Sequence, residues 1–199
     1  GPNFNANLFA QQALNAGAAY AIVDEPAEFK SEKIIIVKDV LTTLQQLAKH
    51  HRKQFKIPFL AITGSNGKTT TKELLHEALS TTYKTYTTEG NLNNHIGIPL
   101  TILKTKEYAE LALIEMGANH LKEIESYCRI TMPTHGLITN CGKAHLEGFG
   151  GEEGVRKGKG ELFDYLKTQN GIAFIMSDYD YLKLMSQGIP TIKTYGTTE

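Results

Sequence analysis

The chain alternates short β-rich runs with segments whose apolar residues recur at helical spacing. AYAIVD (19–24), KIIIV (33–37), FLAIT (59–63), LALIEMG (111–117), HGLIT (135–139), GIAFIM (171–176) and TIKTYG (191–196) predict strands. From residue 59 onward these runs are short and nearly all apolar, the pattern of parallel strands covered on both faces. Between them, VLTTLQQLAKHH (40–51) sets Leu41, Leu44 and Leu47/Ala48 on one helical face. Helices are also predicted over 68–80, 121–129, 152–166 and 178–187. The alternation predicts an α/β fold: a mostly parallel sheet with helices on both faces. FKIP interrupts the pattern, and Pro58 biases Ile57 away from helix. A domain boundary is therefore expected near 52–58, giving residues 1–56 and 57–199. No repeat or low-complexity tract is evident.

Composition narrows the classes. The 199 residues allow one large domain or a small one plus a larger one. Lys+Arg and Asp+Glu both number 21, so the net charge of zero argues against bulk binding to nucleic acid or a membrane surface. Cys128 and Cys141 form neither a metal-spacing motif nor a disulfide framework. No apolar run approaches the roughly 18 residues of a membrane span, and no signal-peptide pattern opens the chain. A soluble cytoplasmic protein is expected. Gly1-Pro2 is either a remnant of tag cleavage or native.

The chemistry begins at LAITGSNGKTTTKELL (60–75). A strand feeding a glycine-rich turn into a helix offers unpaired N–H groups and a positive helix end to a phosphate. The common pattern G-x-x-x-x-G-K-[ST] is not met, because Ile62 stands where its first glycine belongs. Gly64 and Gly67 still allow close backbone approach. Lys68 supplies a point charge for the β and γ phosphates, and Thr69 a hydroxyl suited to Mg2+. The plainer alternative is a strand–turn–helix with Asn66-Gly67 as turn residues. The base-reading and switch motifs of a regulatory GTPase are absent.

A phosphate loop needs a second anchor for its metal, commonly a carboxylate ending a neighbouring buried strand. Glu115 closes an apolar run and either points into such a site or is solvated at the strand end. In the helix 152–166, Val155, Leu162, Phe163 and Leu166 form an apolar stripe whose missing member is Lys159, flanked by Gly158 and Gly160. Each glycine costs about 1 kcal/mol relative to alanine in a helix interior. Lys159 either snorkels its ammonium to water or is desolvated, with a lowered pKa and a reactive neutral amine. Such an amine can take up CO2 as a carbamate, a carboxylate capable of binding metal. The polar segment TNCGKAHLEGFGG (139–151) follows a strand and has the profile of a functional loop. His145 is its candidate metal ligand, with Asn140, Lys143 and Glu147 as weaker candidates.

Taken together, TGSNGKTTTKELL, GNLNNHIGIPLTIL, EMGANHLKEI, THGLITNCGKAHLEGFGG and KGKGELFDYL resemble the Mur ligases. NFNANLFAQQALNAGAAYAIVDE resembles the latter part of that family's N-terminal substrate domain. The resemblance implies a partial UDP-sugar-peptide-binding domain at 1–56 and a partial ATP-binding central domain at 57–199. NLNNHIGIPLTIL and EMGANH resemble most the member that joins D-Ala-D-Ala to UDP-N-acetylmuramoyl-tripeptide through an acyl phosphate.

What the resemblance implies can be written residue by residue. Gly64, Ser65, Asn66, Gly67, Lys68, Thr69 and Thr70 hold ATP. Thr69 and Glu115 bind one Mg2+, and His145 with carbamylated Lys159 binds a second. Asn93 and Asn94 face the substrate and γ-phosphate, and Asn94, Lys68, His145 and Lys159 serve catalysis. A monomer is implied. Set against that family, the start of the N-terminal domain, the end of the ATPase domain and the whole C-terminal domain are missing, which implies a fragment with little or no ligase activity alone. A sister Mur ligase, a folylpolyglutamate-type ligase and a non-catalytic ATP-binding module are the rival readings.

Overall fold

The structure is a computed structural model describing residues 4–26, 31–142 and 146–197, with the side chains of residues 146 and 147 outside the description. The chain divides into two compact units, Gly1–Gln46 and Leu47–Glu199.

In the smaller unit, a one-turn 3-10 helix (Ala6–Phe9) runs into α1 (Ala10–Asn15). Two parallel strands follow, β1 (Ala21–Val23) and β2 (Ile34–Ile36). Ala10, Ala21 and Val23 form its small core, with Leu14 and Ile34 packed against them. Asp24 organises the loops. It accepts from the Asn7 side chain at 2.8 Å and from the Val40 N–H at 3.1 Å, which holds its carboxyl below the usual range.

α2 (Val40–Arg52) carries the chain across the division. The boundary thus falls inside this helix rather than at 52–58. The reason is packing: Ala48 lies in the core of the larger unit. Arg52 is 5% exposed, and its guanidinium donates to the carbonyls of Phe55, Thr131 and Met132. The predicted apolar stripe is only partly covered, since Leu41 and Leu47 remain exposed.

The larger unit holds a fully parallel six-stranded sheet: β3 (Phe59–Thr63), β4 (Thr85–Thr87), β5 (Leu111–Glu115), β6 (His135–Ile138), β7 (Ile172–Met176) and β8 (Thr191–Tyr195). Their spatial order is β4-β5-β3-β6-β7-β8. α3 (Lys68–Ser80) links β3 to β4, and α4 (Gly97–Lys104) links β4 to β5. α5 (Glu123–Thr131) precedes β6, α6 (Leu146–Phe149) and α7 (Glu152–Thr168) precede β7, and α8 (Asp180–Met185) precedes β8.

Crossovers between parallel strands are right-handed. In this order only the step from β3 to β4 runs one way, and every later step runs the other. One face therefore receives α3 alone, where Leu75 and Leu79 meet Leu60, Ile62, Leu113 and Leu137. The opposite face receives α4, α5, α7 and α8, whose apolar residues join Ala61, Ile114, Ile138 and Ile175 in the main core. Beside α3, a groove of about 550 Å3 opens between Leu79, Tyr83, His135 and Phe174.

The elements expected from 59 onward are present, several with ends shifted by one or two residues. β4 and α4 lie outside the expectation. β4 is three half-buried residues, TYT. α4 carries Pro99 in its first turn, where a missing N–H costs nothing. Its buried residues, among them Gly97, Ile98 and Ile102, leave little amphipathic contrast.

Candidate functional site

The site lies at the carboxyl ends of β3, β5 and β6, where ligands bind in open α/β sheets. Ile62 is fully buried in β3 and feeds the loop instead of belonging to it. Gly64 (φ +146°) and Gly67 (φ +77°) take backbone conformations that disfavour side chains. A Cβ on Gly64 would also lie 2.0 Å from Thr139 Oγ1. Gly67 precedes α3 without a side-chain cap, so the first amides of this 13-residue helix face outward as an anion cradle.

The loop is clamped from behind by residues 139–142. Asn140 accepts from the Ser65 N–H through its carbonyl at 2.9 Å and from the Asn66 N–H through Oδ1 at 3.1 Å. Its Nδ2 donates to the Asn66 carbonyl at 3.1 Å, and Thr139 Oγ1 donates to the same carbonyl at 2.7 Å. Ser65 Oγ donates to the Gly142 carbonyl and accepts from the Gly142 N–H. Ser65 and Asn66, expected as nucleotide contacts, thus spend their amides on the clamp. The cradle falls to the amides that open α3, with Thr70 exposed in its first turn.

Lys68 folds over its own loop, donating to the Gly64 carbonyl at 2.8 Å and the Ser65 carbonyl at 3.1 Å. Burial pushes its pKa down, and Glu115 opposes that shift. Thr69 Oγ1 donates to Glu115 Oε1 at 3.1 Å, and Asn93 Nδ2 donates to the same oxygen at 2.8 Å. Glu115 is 1% exposed, and its Oε2 is buried with no hydrogen-bond partner among the described residues. A buried carboxylate oxygen without a partner is costly. Here it belongs to a carboxylate whose other oxygen already holds the Thr69 hydroxyl at the start of α3. Carboxylate and hydroxyl oxygens are the hard donors that Mg2+ takes, so the residues fit that ion.

Asn93 and Asn94 diverge. Gly117 donates its N–H to the Asn93 carbonyl at 2.8 Å, which holds the Asn93 side chain against Glu115. Asn94 Oδ1 instead accepts from the N–H groups of Ile96 and Gly97, closing the start of α4. The structure brings Asn93 to the candidate metal site and gives the Asn94 oxygen a capping role.

Lys159 is 1% exposed. It does not snorkel: its Nζ donates to the Ala118 carbonyl at 3.0 Å and sits 5.1 Å from the Phe149 ring centroid. Burial first, then the Lys68 charge, lowers its pKa to about 8. Gly158 permits this packing, since a Cβ there would lie 2.3 Å from the Phe149 ring. Lys143, His145 and the side chain of Glu147 lie outside the described residues. Among the described residues no cluster of three His, Cys, Asp or Glu side chains can hold a metal ion.

Sequence reasoning missed Lys72, which is fully buried in α3 and donates to the Thr88 carbonyl. The signal was present: Lys72 precedes Leu75 and Leu79 at i+3 and i+7, the spacing test that exposed Lys159. Thr88 had no such signal.

Residues 62–199 match the family model described as the Mur ligase middle domain. The chain is 39% identical to a UDP-N-acetylmuramoyl-tripeptide–D-alanyl-D-alanine ligase of Bacillus subtilis (strain 168), covering 99% of this chain and 43% of the relative. It is 42% identical to the enzyme of that name from Escherichia coli (strain K12), over 89% of this chain and 39% of the relative. Among solved structures it resembles the MurF ligase of Thermotoga maritima in complex with ADP, with TM-score 0.87 and 32% identity over 98% of this chain and 45% of that one. The chain thus spans less than half the length of these relatives. With its phosphate loop, sheet order and matched segment, the chain belongs to the Mur ligase family.

Proposed function

We propose that this chain is the nucleotide-binding part of an ATP-dependent amide ligase that adds D-Ala-D-Ala to UDP-N-acetylmuramoyl-tripeptide in peptidoglycan precursor synthesis. It acts as a cytoplasmic monomer. The observation that carries the reading is Glu115, a buried carboxylate with one oxygen shared by Thr69 and Asn93 and the other without a partner. The substrates come from the names of the relatives, and the ADP of the Thermotoga maritima structure supports the nucleotide.

The reaction joins two anions, a peptide carboxylate and the γ-phosphate of ATP, so positive charge must be concentrated between them. Thr69 and Glu115 would hold one Mg2+. Lys159, as a CO2-derived carbamate, would hold a second with His145. The ions, when bound, offset the charge of the triphosphate. Lys68 leaves the carbonyls of Gly64 and Ser65 for the β and γ phosphates, and the α3 amides cradle them. Asn93 presents its amide beside Glu115. The carboxylate attacks the γ-phosphorus, ADP leaves, and the amine of D-Ala-D-Ala then displaces phosphate from the acyl carbon.

Calorimetric titration of this chain with ADP, with and without Mg2+, tests the reading. Tighter binding with Mg2+ is expected, with Lys68→Met weakening both titrations and Glu115→Gln removing the Mg2+ gain by about tenfold, ~1.4 kcal/mol. ADP binding that ignores both Mg2+ and Lys68→Met would sink it.

A further inference from the structure

We propose that Thr88, held by the buried ammonium of Lys72, is a positioning residue that sets Glu115 for its divalent cation; this rests on the metal site proposed for Thr69 and Glu115. β4 ends at Thr87, paired with Leu113, and the chain turns away before it can offer Glu115 a ladder carbonyl. The Glu115 N–H therefore donates to Thr88 Oγ1 at 3.0 Å. Thr88 is itself fixed at two further points: its N–H donates to the Leu113 carbonyl at 3.1 Å, and its carbonyl accepts from Lys72 Nζ. Thr88 and Lys72 are both fully buried. Lys72 also pairs with Glu73 at 2.8 Å. A buried ammonium stripped of either partner is costly, so it holds its acceptors in place.

These bonds close a ring. Thr69 and Lys72 share α3; Thr69 reaches the Glu115 carboxylate, the Glu115 amide reaches Thr88, and Thr88 returns to Lys72. The ring fixes the Glu115 carboxylate against Thr69, with Oε1 3.1 Å from Thr69 Oγ1, before any ion arrives. Donors held in place lose less freedom when they bind. The cost of loosening them falls on metal affinity rather than on the nucleotide cradle, which belongs to α3 alone.

The test measures Mn2+ affinity of this chain with ADP present, by electron paramagnetic resonance, beside metal-free ADP affinity by calorimetry. Thr88→Val keeps the shape and removes the hydroxyl; Thr88→Ser restores it. Thr88→Val is expected to weaken Mn2+ about tenfold with metal-free ADP affinity unchanged, and Thr88→Ser to behave as the parent chain. Equal loss of both affinities, loss of folding in Thr88→Val alone, or unchanged Mn2+ affinity overturns the inference. Glu115→Gln separates the two claims. If it leaves Mn2+ binding intact, the metal site itself is misplaced. If it abolishes Mn2+ binding while Thr88→Val does not weaken it, only the positioning role fails.

Discussion

At the residue scale, Lys159 joins stability to chemistry. Its folded pKa of about 8 lies below the ordinary lysine value of 10.5, because burial and the Lys68 charge disfavour the ammonium. Between those values the unfolded chain binds more protons than the native one, so stability rises with pH across that window. Below it both states are protonated and the native state carries the full cost, about 3 kcal/mol from the size of the shift. In CO2-free buffer, Lys159→Met should therefore be more stable than the parent chain at pH 7, with the advantage shrinking toward pH 10.5. Urea denaturation at several pH values reads this, and a pH-independent difference would refute the buried amine. 13C NMR of the folded chain in 13C-bicarbonate should give a carbamate signal in the parent chain and none in Lys159→Met.

Much of this site was legible in the sequence, and the physics says why. Lys159 broke an apolar stripe, Glu115 ended an apolar run, and Gly64 and Gly67 bracketed a turn. Each left a mark at fixed local spacing. Thr88 left none, and Asn140 stood out only as a weak candidate of a polar loop with no hint of its clamp, because their partners, Glu115 and Asn66, lie far along the chain and meet them only after the sheet forms. Asn94 adjoins Asn93, yet the two side chains point to different work. Adjacency in sequence could not separate a helix cap from a carboxylate partner.

At the scale of elements, α5 is held at both ends by side chains from other helices. Glu161 of α7 accepts from the N–H groups of Lys122 and Glu125 at its start, at 2.6 and 2.9 Å. Arg52 of α2 donates to the Thr131 and Met132 carbonyls at its end. Each charge has the sign that the helix dipole favours at that end. Arg52 also lies 3.8 Å above the Phe59 ring, at the start of the central strand. Its pKa is lowered to about 10 by burial, so it stays charged at neutral pH. Arg52→Met should cost roughly 2–4 kcal/mol in urea denaturation, because it orphans buried carbonyls. Arg52→Lys should recover little, since a point charge cannot span carbonyls reached by a fork. A loss under about 0.5 kcal/mol, the level of an ordinary surface change, would refute this anchor.

The elements were easier to foresee than their arrangement. FLAIT and KTTTKELLHEALS stand in the structure with the bounds their patterns predict. β4 and α4 escaped because one is too short and polar for an alternation signal, and the other is buried with little polar contrast. The boundary expected at 52–58 moved into α2 because a proline marks a local bend, whereas a unit is defined by what packs together.

At the scale of the whole sheet, the asymmetry of its faces sets where water can enter. Helices cover one face along its width, while α3 alone serves the other, leaving Tyr195 43% exposed and Phe174 half-buried. β3 is buried along its length, and β8 is open at nearly every residue. Backbone amides exchange with solvent through local openings, and those openings need least energy where little is packed. Deuterium uptake followed by mass spectrometry should therefore grade across the strands, slowest in β3 and β5 and fastest in β8. Uniform uptake would contradict it. The proposed nucleotide loop hangs from the slowest strand, so the cradle keeps its shape while the far edge of the same sheet breathes.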